Sequence, residues 1–183
     1  MVDTRMNSIN VLVREKYISK SQCTFDVNNY IVHVSMFEWL VNMINKHRYL
    51  GIGNELYCGE PIDEDDKIAF YHDLDYTLAT SPDDIMLADQ VAVQKFFALR
   101  NMHGLIAGSL LYMKYLAEKR LGRIIYPNIT KYTESEKKAA LILKTLYSYY
   151  DHNIANANIM SFEEFACTDM AKVLLNDIND ANK

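Results

Sequence analysis

His72-Asp73-Leu74-Asp75-Tyr76, then Thr80-Ser81-Pro82-Asp83-Asp84, then Ala88-Asp89 follow one another in one stretch of the chain. The middle segment is a helix break. Ser81 is a good N-cap, Pro82 suits the first helical position, and Asp83 and Asp84 complement the helix dipole. The helix before the break begins near Asp63, with Asp66 three residues on, and runs to about Thr80. Ile68, His72, Tyr76 and Ala79 share one stripe of it. The helix after the break starts at Pro82, and Ile85, Asp89, Ala92 or Val93, and Phe96 share a face. His72 and Asp89 each lie about 12–14 Å from the turn at 1.5 Å rise per residue. If the tight turn folds the helices back antiparallel, the two side chains come to one level. A carboxylate on an apolar face needs a partner, and His72 is the one at hand.

Upstream lies Tyr49-Leu50-Gly51-Ile52-Gly53-Asn54, followed by Gly59-Glu60-Pro61 and the acidic run Asp63 to Asp66. Three of the chain's six glycines fall in this region, so special backbone geometry is concentrated here. Before it, Ser35 and Glu38 form a capping box for a helix with Phe37, Leu40, Val41 and Ile44 on one face. Residues 1–34 read as an arm with a short extended piece near Phe25 to Val32. Residues 35–123 read as the main domain and 124–183 as a helical extension packed on it.

The helix from Pro82 continues past Phe97, as far as Arg120, with a weak point at Gly104 or Gly108. Thr133 and Glu136 cap a helix to about Tyr150. Residues 151–158 read as a loop. Ser161 and Glu164 cap a last helix through Leu174, and a polar tail from Asn176 frays.

Composition narrows the class. Half of the 183 residues are apolar, while glycine and proline number six and three, which favours a mostly α fold over a many-turned β fold. A net charge of −5 argues against a nucleic-acid partner. Cys23, Cys58 and Cys167 are too few and scattered for a disulfide framework. The N-terminus carries Asp3, Arg5, Arg14 and Glu15 with no apolar core, unlike a signal peptide, and the apolar run Gly104 to Met113 is too short to span a bilayer.

The chemistry available from these residues is hydrolytic. Histidine is the side-chain type best suited to a general base at neutral pH, and a carboxylate on one ring nitrogen of His72 leaves the other to take a proton from water. A core histidine bonded to a carboxylate has the same pattern and is the commoner case. Tyr76 is one turn from His72, placed either to bond Asp89 or simply to pack. Gly51 and Gly53 allow close backbone approach to a cation, with Asp73 as a carboxylate on the neighbouring face; a glycine C-cap with a solvated Asp73 fits the spacing at least as well.

Taken together and in this order, Tyr49-Leu50-Gly51-x-Gly53-Asn54, Gly59-Glu60-Pro61, His72-Asp73-x-x-Tyr76 and Ala88-Asp89 resemble the phospholipase A2 domain of parvovirus minor capsid proteins, the insect densovirus branch above all. The strong similarity covers Tyr49 to about Phe97. It implies a phospholipase A2-like core of two antiparallel helices preceded by a calcium-binding glycine loop, with extra N- and C-terminal helices. It further implies that carbonyls of Tyr49, Gly51 and Gly53 and the carboxylate of Asp73 hold Ca²⁺. His72 then activates water, Asp89 orients His72, Tyr76 supports Asp89, and the Gly51 N–H helps stabilise the oxyanion. The implied partners are a phospholipid surface and a viral capsid, and the implied place of action is a virion at an endosomal membrane of a host cell. Ile52 stands where the family has proline, Cys58 is unusual there, and a helical stretch after Gly122 takes the place of a glycine-rich linker.

Two other readings remain at this level. A metal phosphohydrolase of the HD type would use His72-Asp73 with His47 or His33, leaving the glycine loop without a role. A non-enzymatic helical partner-binding module would keep the fold alone. Lys114, Lys119, Arg120 and Arg123, interleaved with Tyr112, Tyr115, Leu116 and Leu121, fit docking on anionic lipid; an ordinary amphipathic helix with a solvated basic face fits them better.

Overall fold

The structure, a computed structural model, describes residues 46–51, 56–155 and 160–181. The expected arm over 1–34 and the helix capped by Ser35 lie outside these residues. The described part is mostly helical, and no strand occurs in it. Its helices are α1 (Glu64–Leu78), α2 (Pro82–Ala98), α3 (Met102–Leu121), α4 (Glu134–Asn153), α5 (Phe162–Ala166) and α6 (Asp169–Ala181), with a 3-10 turn at Ile129–Lys131. No described helix is long and apolar enough to cross a membrane.

The break between α1 and α2 forms as its residues dictate. The Ser81 side chain accepts the Asp84 N–H, and the Asp84 carboxylate accepts the N–H groups of Thr80 and Ser81 at 2.9 Å each. Those bonds, with the Thr80 hydroxyl, pull the Asp84 pKa down to about 2. The helices fold back antiparallel: α1 begins beside the α2–α3 turn, where Asn101 donates to Asp65 at 2.7 Å. Ile68, Tyr76, Ala79, Ile85, Ala88, Ala92, Val93 and Phe96 are all buried, so the two apolar stripes form the core.

The second break lies earlier than the glycines suggest. The chain turns at Leu99–Asn101, with Arg100 at φ 54°, and Asn101 caps α3 through the Gly104 N–H at 2.6 Å. Gly104 and Gly108 do not interrupt α3; they let it lie close on α2. A Cβ at Gly104 would sit 2.6 Å from the Phe96 carbonyl oxygen, while one at Gly108 would sit 2.9 Å from the Phe97 ring. Backbone cannot yield as a half-exposed ring can. Gly104→Ala is therefore expected to cost about 1–3 kcal/mol in urea denaturation, and Gly108→Ala distinctly less.

Helix α4 packs antiparallel on α1, with Lys144 on Asp75 at one end and Lys67 on Asp151 at the other. Between them Phe70 and Tyr147 meet edge to face. α4 runs on to Asn153, past the expected end, because the buried Tyr147 and Tyr150 anchor its last turns on Phe162. The last expected helix is two, broken at Cys167–Thr168, and α6 extends through Ala181 in the expected tail. Tyr57 reaches Glu163 at 2.6 Å and Glu60 accepts the Phe162 N–H, tying the C-terminal helices to the segment before α1.

Candidate active site

α1 presents His72 and Tyr76 one turn apart, and α2 presents Asp89 opposite them. His72 Nε2 lies 3.0 Å from Asp89 Oδ1, and the Tyr76 hydroxyl donates a short hydrogen bond to the same oxygen. Asp89 is fully buried, whereas the His72 side chain keeps 10% of its surface exposed. An ionised carboxylate accepts only, so His72 donates from Nε2 and carries its lone pair on Nδ1. Nδ1 has no hydrogen-bond partner among the described residues. Burial, then the negative charge of Asp89, push the Tyr76 pKa far up, so its hydroxyl remains a donor.

α3 completes the cluster. Lys114 Nζ lies 2.7 Å from Asp89 Oδ2 and 2.9 Å from Glu118 Oε2, and 5.2 Å from the centre of the Tyr76 ring. Glu118 is also buried, and its other oxygen accepts the N–H groups of Ile125 and Tyr126 at 2.9 and 3.1 Å. Those bonds lay the segment after α3 over the α1–α2 turn, where Ile124, Tyr126 and Ile129 pack on Tyr76, Ala79, Ile85 and Ala88. Burial pushes the Asp89 pKa up, but bonds from His72, Lys114 and Tyr76 outweigh it and hold the carboxyl below its ordinary value. Lys114 thus belongs to this cluster and not to a solvated basic face. Sequence reasoning missed Glu118 as well; the Lys114/Glu118 spacing of four on one helix was the available signal.

Of the expected calcium ligands, Gly53 lies outside the described residues. Asp73 follows His72 on α1 and is partly exposed. Tyr49 is buried and held three ways. Its N–H donates to Asp66 Oδ1 at 2.7 Å, its hydroxyl donates to the Gly59 carbonyl, and that hydroxyl accepts the Cys58 N–H. Asp66, fully buried, also accepts the Ile62 N–H at 3.1 Å, so one carboxylate fixes both ends of the segment leading into α1. The Gly51 N–H donates to the Tyr49 carbonyl at 2.8 Å. A carbonyl has a second lone pair for a cation, but the Gly51 N–H must turn away from Tyr49 before it can serve an oxyanion. Carbonyls and a carboxylate form a hard oxygen set that suits Ca²⁺.

The described contacts of His47 are with Asp63 and His103, not with His72-Asp73 as an HD-type centre would have them. No family model, curated protein or solved structure matches the chain.

Proposed function

We propose that this chain is a calcium-dependent phospholipase A2 that hydrolyses the sn-2 ester of glycerophospholipids, used by a virus particle to breach an endosomal membrane. The observation that carries the reading is the buried Asp89 on His72 Nε2, with Nδ1 left for water. Asp89 fixes the tautomer and orientation of the ring. Nδ1 takes a proton from a water as its oxygen attacks the ester carbonyl carbon, and His72 then returns that proton to the departing sn-2 oxygen. Tyr76 and Lys114 are positioning residues that keep Asp89 ionised and aimed. The carbonyls of Tyr49, Gly51 and Gly53 and the carboxylate of Asp73 would hold Ca²⁺, which would supply positive charge to stabilise the oxyanion. The test is fatty-acid release from phosphatidylcholine vesicles with calcium and with a chelator. Release that persists in chelator and in His72→Ala would refute the reading.

Lipid docking is part of the proposal. Along α3, Met102, Leu105, Leu110, Met113, Leu116 and Leu121 are all more than half or nearly half exposed, with Lys119, Arg120 and Arg123 at the end. An apolar surface of this extent marks an interaction site more often than a solvated face. Leu105→Asp with Leu116→Asp is expected to weaken vesicle binding by more than about tenfold, since each buried leucine stabilises by about 1.5–3 kcal/mol. Hydrolysis of short-chain lipid dispersed below its micelle threshold should hardly change. Charge reversal at Lys119 and Arg120 should weaken binding to anionic vesicles in particular; unchanged co-sedimentation of both variants would sink the docking role.

A further inference from the structure

A second constellation sits apart from the His72–Asp89 pair. His47 precedes the glycine loop, Asp63 is the N-cap of α1, and His103 lies in the first turn of α3. One nitrogen of each histidine and one Asp63 oxygen all fall within 4.8 Å of one another. His47 Nε2 is 3.1 Å from Asp63 Oδ2, and the two imidazoles meet edge to face at 5.1 Å between centres. Two imidazoles and a carboxylate suit zinc-like metals, whereas Ca²⁺ prefers oxygen alone. Donors around a tetrahedral Zn²⁺ stand about 3.4 Å apart at ordinary bond lengths. The His47–Asp63 spacing already fits. The other two spacings, each within 4.8 Å, need to close by up to about 1.4 Å, through small shifts of the half-exposed Asp63 and the partly exposed His103.

Two further observations favour a cation here. Asp63 divides its labour: Oδ1 accepts the Asp66 N–H at 2.9 Å as the cap, so Oδ2 can ligate without loss of the helix start. Asp65, 3% exposed, leaves Oδ1 with no hydrogen-bond partner among the described residues. That oxygen lies 3.0 Å from where a Cβ on Gly104 would stand, against the residue that follows His103. A buried carboxylate oxygen without a donor, between the first turns of α1 and α3, favours positive charge in its neighbourhood. The His47 side chain has no exposed surface while Asp63 keeps 44%, so metal enters from the Asp63 side.

We infer that His47, Asp63 and His103 form a binding site for Zn²⁺ or a similar divalent transition metal, separate from any calcium site. The metal would join the segment leading into the glycine loop to the starts of α1 and α3, with a fourth position left for water. The experiment is titration of the chelator-stripped full chain with ZnCl₂ at neutral pH, followed by calorimetry and by thermal melting in the presence of excess Ca²⁺. One equivalent should bind, calcium should not displace it, and Tm should rise by about 5–10 °C at a hundredfold excess over Kd. His103→Asn and Asp63→Asn should each weaken binding by more than about a hundredfold, a loss beyond that of an outer-shell partner. Asn still caps α1, so Asp63→Asn reports on the metal even if His103→Asn fails to fold. His72→Asn should bind Zn²⁺ as the wild type does. Absence of uptake by the wild type, unchanged uptake in Asp63→Asn, or uptake lost in folded His72→Asn would overturn the inference. Lipid hydrolysis plays no part in these readouts, so the site and the lipase reading stand or fall separately.

Discussion

His72→Asn is expected to lower sn-2 ester hydrolysis by about 10²–10⁴-fold, the usual worth of a positioned general base. The substitution removes Nδ1, the proposed base, and one of three donors to Asp89. Lys114 and Tyr76 still hold that carboxylate, so the fold should survive at a cost of about 0.5–3 kcal/mol. Circular dichroism and melting of the same preparation separate the two effects. A variant that melts near the wild type yet hydrolyses at background rate supports a base at His72. A variant with full activity removes His72 from the reaction. Asp89→Asn is less clean, because it also leaves the Lys114 ammonium with a weaker partner.

Lys114→Met should have the largest effect on stability. Asp89 and Glu118 are both buried without side-chain exposure, and Lys114 is the cation between them. Its loss leaves two carboxylates facing each other in a place that water hardly reaches. Removing one partner of a buried ion pair costs about 3–5 kcal/mol, a large part of a total stability of about 5–15 kcal/mol. For a chain of this length Tm should fall by roughly 6–20 °C. The pH dependence gives the sign. In the wild type the folded Asp89 pKa is depressed, because the donors outweigh the burial that raises it. Its contribution is fully present above the unfolded value of about 3.9 and is lost as pH falls through the folded value. Without Lys114, burial gains and the folded pKa rises. The variant's deficit should then shrink as pH falls from 7 towards about 4.5, as protonation relieves the repulsion. Urea denaturation at both pH values measures the gap; a gap that stays constant would mean that Lys114 acts through packing on Tyr76 alone.

The α1–α2 hairpin was legible because each part of it is a local signal. Ser81, Pro82 and Asp84 make the turn from their own hydrogen bonds, and two apolar stripes then leave His72 and Asp89 on facing sides. The Lys114–Glu118 pair was not legible as part of the site. A lysine among tyrosines and leucines on a helix has the pattern of a basic surface, and only the close approach of α3 turns it inward. That approach depends on Gly104 and Gly108, which read as weak points and act as contact points. Asp66 was hidden in an acidic run that read only as the start of a helix, although it holds the Tyr49 and Ile62 N–H groups. The break at Cys167–Thr168 was missed because the apolar spacing from Phe162 to Leu174 carries across it.

In the proposed reaction, water activated at His72 Nδ1 attacks the sn-2 carbonyl. Hydrolysis of phosphatidylcholine vesicles in ¹⁸O-labelled water with calcium, followed by mass spectrometry of both products, tests it most directly. Lysophospholipid and free fatty acid are expected in equal amounts, with the label in the fatty-acid carboxyl and none in the lysophospholipid, and neither product from His72→Asn. Label in the lysophospholipid, or equal product from the folded variant, would contradict it.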